Sequence, residues 1–95
     1  MVSTVIVHFW TAPGKEQEMK AALKEAAATF LKDEGTLDWF AMQDTKDPNA
    51  WSVVERYDGD NGLKIHAENP YFNKFVADIG PLMDPSRGEA GSRAQ

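Results

Sequence analysis

Apolar and polar residues alternate at the start of the chain, where positions 2–10 read VSTVIVHFW. Alternation of side chains between two faces indicates a β-strand. One face would carry Val5, Val7 and Phe9, which are all apolar. The other face would be largely apolar and would carry Thr4, Ile6, His8 and Trp10. A strand that is apolar on both faces is expected to be covered on both sides.

The period changes between residues 15 and 33, where apolar residues recur every three or four positions. They form one stripe: Met19, Ala22, Leu23, Ala26, Ala27, Phe30 and Leu31. Such a stripe predicts an amphipathic helix. Glu16 and Glu18 near its start and Lys32 near its end match the helix dipole. Gly35 follows, where a left-handed cap is expected.

Residues 36–44 and 51–58 predict two strands joined by a turn at 45–49, which makes an antiparallel hairpin. One face of the second strand carries Trp51, Val53, Glu55 and Tyr57.

A short helical stretch is predicted at 63–68, and Pro70 favours a further helix at 70–79. That helix would have an apolar face made of Tyr71, Phe72, Phe75, Val76 and Ile79. Residues 84–95 are polar and rich in glycine, and they predict a disordered tail beyond a domain spanning 1–83.

The element order β-α-β-β-α, with a further strand expected but not visible, predicts an α+β fold. It is typical of a ferredoxin-like sandwich with helices on one face of an antiparallel sheet. Helices can cover only one face, whereas the first strand is apolar on both. A second copy of the chain is the simplest cover, and a domain this small buries only roughly 60–65% of its surface alone. We therefore expect a homodimer.

Composition narrows the classes of function. The chain of 95 residues contains no cysteine, which excludes disulfides, thiolate metal sites and a cysteine nucleophile. The net charge of −5, with scattered basic residues, disfavours nucleic acid as a partner. No apolar run approaches the ~20 residues that span a bilayer, and no signal sequence is visible. A cytoplasmic protein without membrane contact is expected.

One local pattern then points to a family. The pattern is Trp51-Ser-Val-Val-Glu55-Arg-Tyr57, followed by His66 and by Asn69-Pro70-Tyr71-Phe72. With the element order, it resembles the antibiotic biosynthesis monooxygenase domain of the dimeric α+β barrel superfamily, from residue 2 to about residue 80.

The chain departs from this family in two places. Family members usually end in a fourth strand, where this chain offers Pro81-Leu-Met83 and a polar tail. The haem-degrading branch has an Asn and a His where this chain has His8 and Val76, so haem degradation is not expected.

The resemblance implies a cofactor-independent monooxygenase that oxidises a small aromatic, phenolic, quinol or polyketide-like substrate with dioxygen. Neither cofactor nor metal is expected, since His8, His66 and Glu55 lack the local spacing of an iron site. His66 is the candidate general base, because an imidazole with a pKa near ~6.5 exchanges protons at neutral pH. Glu55 is the candidate partner that fixes the tautomer of His66.

Residue chemistry alone leaves alternatives open. His66 could be a half-exposed residue near a helix end. Glu55 could pair with Arg56 of another subunit or with a lysine. The same His–Glu pair also suits a non-oxidative isomerase, cyclase or decarboxylase, and a non-catalytic binding dimer would need neither residue for chemistry.

Aromatic residues are numerous enough to line a substrate pocket. The expected pocket residues are His8, Trp10, Trp39, Trp51, Tyr71, Phe72 and Phe75. Trp39 and Phe40 are neighbours on a strand and must point to opposite faces, so at most one can share a pocket with His66. His8 could lie in the pocket or at a subunit interface.

Overall fold

Four strands form an antiparallel sheet that is covered by helices on one face. The computed structural model describes residues 1–87 and the backbone of residues 91–94. The elements are β1 (Ser3–Trp10), α1 (Glu16–Phe30), β2 (Thr36–Gln43), β3 (Ala50–Tyr57), α2 (Asp60–Glu68), α3 (Tyr71–Ile79) and β4 (Gly91–Ala94). The strand order is β2-β3-β1-β4. This is the predicted ferredoxin-like α+β fold.

The pairing of β1 with β3 divides the sheet into two faces. Phe9 lies opposite Trp51 and Val7 opposite Val53. These side chains lie on the inner face, which packs with α1 residues such as Phe30 in the hydrophobic core. Trp51, Val53 and Tyr57 are all at most 5% exposed, so the apolar grouping predicted on β3 is confirmed.

Helix α1 is shorter than the sequence predicts. It ends at Phe30, and Leu31 follows as its C-terminal cap. Met19, Leu23 and Phe30 of the predicted stripe are buried, but Leu31 is 47% exposed because it lies past the last helical turn. Gly35 has the expected positive φ of 87°, in the turn that leads into β2 and not at the helix cap.

Helix α2 begins at Asp60, before its predicted start at residue 63, and its backbone lies directly on the turn between α1 and β2. A Cβ atom on Gly62 would lie 2.5 Å from Asp58 Oδ1 and 2.7 Å from the carbonyl oxygen of Gly35. Glycine at 62 therefore permits this close approach. The same approach brings His66 of α2 to the end of α1.

The outer face of the sheet carries an apolar row between polar ones. Ile6 pairs with Val54 and Val54 with Phe40, which places the three in one row across the sheet. Phe40 and Met42 are 44% and 46% exposed, whereas Trp39 on the inner face is 3% exposed. The predicted opposite orientation of Trp39 and Phe40 is confirmed.

The segment after Met83 corrects the prediction of a disordered tail from residue 84. The amide of Asp84 donates to the Trp10 carbonyl, and Arg87 Nη1 lies 3.0 Å from Asp47 Oδ2. Strand β4 then pairs with β1, with Val5 opposite Ala94. Main-chain hydrogen bonds to a free strand edge need no apolar side chains, so composition could not reveal this strand. Residues 88–90 and 95 of the predicted tail lie outside the described residues.

Candidate active site

A small apolar cavity lies between the inner face of the sheet and α3. Its volume is about 90 Å³. All but one of its lining residues are apolar: Val7, Phe9, Trp39, Val53, Phe75, Ile79 and Met83, with Glu55 as the exception. A carboxylate in such a wall is costly unless other groups bond to it.

Glu55 has two polar neighbours in its own chain. The hydroxyl of Tyr57 donates a hydrogen bond to Glu55 Oε1 at 2.5 Å. His66 Nε2 lies 3.4 Å from the same oxygen. Burial, together with the bond to Glu55, raises the pKa of Tyr57 far above its usual value. Tyr57 therefore remains a proton donor to Glu55 throughout the neutral range.

His66 is buried behind Glu55. It lies in the last turn of α2, but it is only 5% exposed, so the alternative of a half-exposed histidine is wrong. Its ring contacts Phe30 at 4.4 Å, Tyr57 at 5.1 Å and Phe72 at 5.5 Å between ring centroids. Burial lowers the pKa of His66, although Glu55 and Asp33 both act to raise it. A neutral imidazole is a proton acceptor, and this one lies next to the carboxylate that faces the cavity.

Asp33, in the turn between α1 and β2, is a second carboxylate beside His66. Its Oδ2 atom lies 3.7 Å from His66 Nδ1, a distance typical of an ion pair but too long for a hydrogen bond. Asn69 Nδ2 donates to Asp33 Oδ1 at 2.7 Å, and Asn69 Oδ1 accepts from the amide of Tyr71. Sequence reasoning missed Asp33, because no spacing links residue 33 to residue 66.

Two of the predicted pocket residues line the cavity with Glu55. Trp39 lies opposite Glu55 on the neighbouring strand, and its ring is 5.7 Å from that of Phe75. Tyr71 and Phe72, which were also predicted to line the pocket, do not line this cavity; their rings pack against Phe30, at 5.2 Å and 6.4 Å between ring centroids.

The structure places the other predicted pocket residues at a different location. His8, Trp10 and Trp51 line a separate groove of about 610 Å³. His8 is exposed on the outer face, where its Nδ1 lies 2.8 Å from Ser52 Oγ. The predicted pocket residues are therefore divided between the small cavity and the larger groove.

Within its own chain, Arg56 does not pair with Glu55. Arg56 Nη1 is 3.5 Å from Asp38 Oδ2 of its own chain. Arg56 and Glu55 are neighbours on β3, so their side chains leave opposite faces of the sheet. Glu55 is instead held by Tyr57 and His66 on the inner face.

A carboxylate that faces a cavity and adjoins a neutral imidazole can accept a proton and pass it on. The surrounding apolar wall suits a flat, mostly apolar molecule with one acidic group. Fold and site together define a small ferredoxin-like domain with a proton-accepting apolar cavity.

The family follows from the sequence. The model of the family described as antibiotic biosynthesis monooxygenase matches residues 2–78, and the chain belongs to this family.

Solved structures show the same fold. A protein from Nitrosomonas europaea, assigned by name to the antibiotic biosynthesis monooxygenases, has a TM-score of 0.90 at 15% identity; 99% of this chain and 88% of that chain are covered. A similarly named protein from Caulobacter crescentus CB15 has a TM-score of 0.89 at 22% identity, over 99% and 87%. A conserved protein from Methanosarcina mazei Go1 gives 0.89 at 20%, over 100% and 91%.

No curated protein matches the sequence at a significant level. Among the described residues, no helix is both long and apolar enough to cross a bilayer.

Proposed function

We propose that this protein is a cofactor-independent monooxygenase that oxidises a small phenolic or quinol-type aromatic compound with dioxygen. The family supports oxygenation. The observation that carries the proposal is the Glu55 carboxylate in the wall of an apolar cavity, with neutral His66 at 3.4 Å behind it.

The pair serves to ionise the substrate. Tyr57 and His66 both approach Oε1 of Glu55, which leaves Oε2 as the oxygen available to a hydroxyl group in the cavity. A carboxylate alone is a weak base for a phenol. The neighbouring His66 imidazole is a second proton acceptor, and it can take the proton on from Glu55. The resulting anion is electron-rich and is held away from water.

The oxidation then balances without an external reductant. A ring methylene of an anthrone-like substrate and one dioxygen give a ring carbonyl and one water. One oxygen atom enters the product, the other leaves as water, and the substrate supplies all four electrons. The protein contributes by deprotonating, orienting and desolvating the substrate.

The cavity of about 90 Å³ has room for little more than one ring, since pockets for drug-sized ligands are roughly 300–1,000 Å³. Helix α3 forms one wall, and none of its nine residues is buried. Val76 and Phe72 on this helix are 49% and 37% exposed. An outward movement of α3 is therefore the least costly way to admit a larger substrate.

The test is dioxygen consumption by chelator-treated protein offered a panel of hydroquinones and anthrones. Glu55→Gln keeps the size of the side chain but removes its basicity, and it is expected to lower kcat at least about a hundredfold. His66→Ala is expected to lower it comparably. Glu68→Gln, a surface carboxylate on α2, is the matched control and should retain wild-type uptake.

Saturable uptake that survives chelation and is lost in the Glu55 variant supports the proposal. Turnover of the same compounds without dioxygen uptake would replace it with non-oxidative proton-transfer chemistry. Binding without turnover, followed by tryptophan fluorescence, would replace it with a binding function.

We also propose that the protein works as a homodimer through the outer face of the sheet. The row Ile6, Val54 and Phe40 is apolar, and Met42 beside Phe40 is 46% exposed. Exposed apolar side chains grouped in this way often mark an interaction surface. Two copies related by a twofold axis would bury the same face of each chain.

A further inference from the structure

Two buried polar atoms face each other across 3.7 Å: Asp33 Oδ2 and His66 Nδ1. Neither has a hydrogen-bond partner within the part of the chain that the structure describes. A buried polar atom without a partner destabilises the folded state. A carboxylate oxygen can only accept and a ring nitrogen can donate, so a proton on Nδ1 would place a positive partial charge opposite Asp33 Oδ2, although 3.7 Å is longer than a hydrogen bond.

The other ring nitrogen has a different neighbour. His66 Nε2 faces Glu55 Oε1, which already accepts the hydrogen bond from Tyr57 at 2.5 Å. Glu55 Oε1 therefore already has a donor, whereas Asp33 Oδ2 has none among the described residues. A neutral imidazole has one N–H group, and these surroundings favour its placement on Nδ1.

We propose that Asp33 is a positioning residue that holds His66 as its Nδ1–H tautomer and thereby keeps Nε2 free to take a proton from Glu55. The kinetic part of this inference rests on the proposed function, whereas the tautomer does not. The proton moves from the substrate hydroxyl to Oε2 of Glu55, and rotation of the carboxyl group then turns this O–H bond toward Nε2, which takes the proton. This gives an imidazolium between two carboxylates, and the Nδ1 proton can then leave to Asp33.

The surroundings of the ring suit this path. The titratable groups that face it are Asp33 from the α1–β2 turn and Glu55 and Tyr57 from β3. From α1 and α3 it meets the uncharged rings of Phe30 and Phe72. The side chains of Asp33 and Glu55 are each 13% exposed, against 6% for His66, so the imidazole is the most buried of the three groups.

The orientation of Asn69 makes Asp33→Asn an informative variant. Asn69 Oδ1 accepts from the Tyr71 amide, so its Nδ2 group points to Asp33 Oδ1. An asparagine at 33 would keep its carbonyl oxygen on that donor and turn its own NH₂ group toward His66. The variant has nearly the same shape, but it replaces an acceptor with a donor opposite Nδ1.

The first measurement is the nitrogen NMR spectrum of the histidine rings at a pH above the ordinary histidine pKa of about 6.5. The chain has two histidines, so His8→Gln assigns the signals of His66. The expected wild-type spectrum has the protonated type of nitrogen at Nδ1, and Asp33→Asn is expected to move the proton to Nε2. Wild-type protein with the proton on Nε2 would overturn the inference, and this result needs no variant to fold.

The second measurement is the rate of dioxygen consumption. Asp33→Asn is expected to lower kcat about tenfold or more with little change in KM, because substrate contacts are untouched. Glu34→Gln, the neighbouring exposed carboxylate, should leave both constants unchanged. Unchanged kcat in an Asp33→Asn protein with a switched tautomer would overturn the kinetic role. If no substrate is oxidised even by wild-type protein, the proposed function fails, and the NMR result still decides the tautomer.

Discussion

A single buried imidazole links pH to stability in this protein. Burial lowers the pKa of His66, so the folded protein holds a proton on this ring less readily than the unfolded chain does. The folded state is favoured by this group while the ring is neutral in both states, above the unfolded pKa of about 6.5. As pH falls below that value, the unfolded chain takes up a proton first and gains stability.

We expect the free energy of unfolding to decrease between pH about 6.5 and the lower folded pKa of His66, by at most about 1.4 kcal/mol per pH unit. Urea denaturation across this range measures it. His66→Gln should remove this part of the slope, whereas His8→Gln, at the exposed histidine, should retain it. Equal slopes in both variants would show that carboxylates alone cause the pH dependence.

The hydroxyl of Tyr57 gives a second prediction at this scale. Tyr57→Phe keeps the buried ring but removes the 2.5 Å hydrogen bond to Glu55. We expect a loss of about 1.5–3 kcal/mol in stability, as for hydrogen bonds to charged groups. Thermal denaturation would detect it, and Tyr71→Phe is the matched control. A stability equal to that of the wild type would mean that solvent already satisfies Glu55.

At this scale the sequence predicted Glu55 and His66 as a pair but not Asp33. The motif places Glu55 and His66 close together along the chain. Asp33 reaches His66 only because α2 lies on the α1–β2 turn, and that contact depends on tertiary packing. Tertiary packing also decides which aromatic side chains share a pocket. The sequence could not show that Trp39 and Phe75 line the cavity while Trp10 lines the separate groove.

Among the elements, α2 holds the site in place through a contact between two glycines. Gly62 lies against Gly35, with the carbonyl oxygen of Gly35 only 2.7 Å from the position of a Cβ on Gly62. Backbone on both sides cannot yield as a flexible side chain can. A side chain at 62 would move α2, and with it His66, away from Asp33 and Glu55.

Gly62→Ala is therefore expected to destabilise the protein by about 1–3 kcal/mol, as overpacking does. Gly80→Ala is the matched control, because a Cβ there meets nothing within 4 Å. It should be neutral or slightly stabilising. Equilibrium unfolding measures the stability of both variants. Equal stabilities would show that α2 can shift to accept a side chain at 62 without a loss of stability.

Helices and strands with strong apolar periodicity could be predicted from the sequence. A strand that forms only through main-chain pairing with a neighbouring strand could not. The apolar stripe predicted α1 as a helix, and the alternation predicted β1 as a strand. The predicted end of α1 was wrong because the stripe continues to Leu31, past the last helical residue. Strand β4 reads Gly-Ser-Arg-Ala and has no apolar alternation. It exists through pairing with β1, which a local pattern does not contain.

For the whole molecule, the apolar row on the outer face of the sheet predicts the oligomeric state. We expect sedimentation equilibrium to show a dimer. Phe40→Lys places a charge in the proposed interface at a residue that is 44% exposed in the single chain, so it should give a folded monomer. Val76→Lys changes an equally exposed apolar residue on α3 and should remain dimeric. A monomeric wild-type protein would contradict the proposed assembly.

The pairing of β1 with β4 has a consequence for how the chain folds. Val5 lies opposite Ala94, and Phe9 lies opposite Trp51. Contacts between residues so far apart in sequence close large loops, and they slow the search for the native state. Strand β1 must therefore wait for the synthesis of β3 and β4 before both of its edges are paired. Until then it exposes an unpaired strand edge, the kind of surface on which aggregation begins.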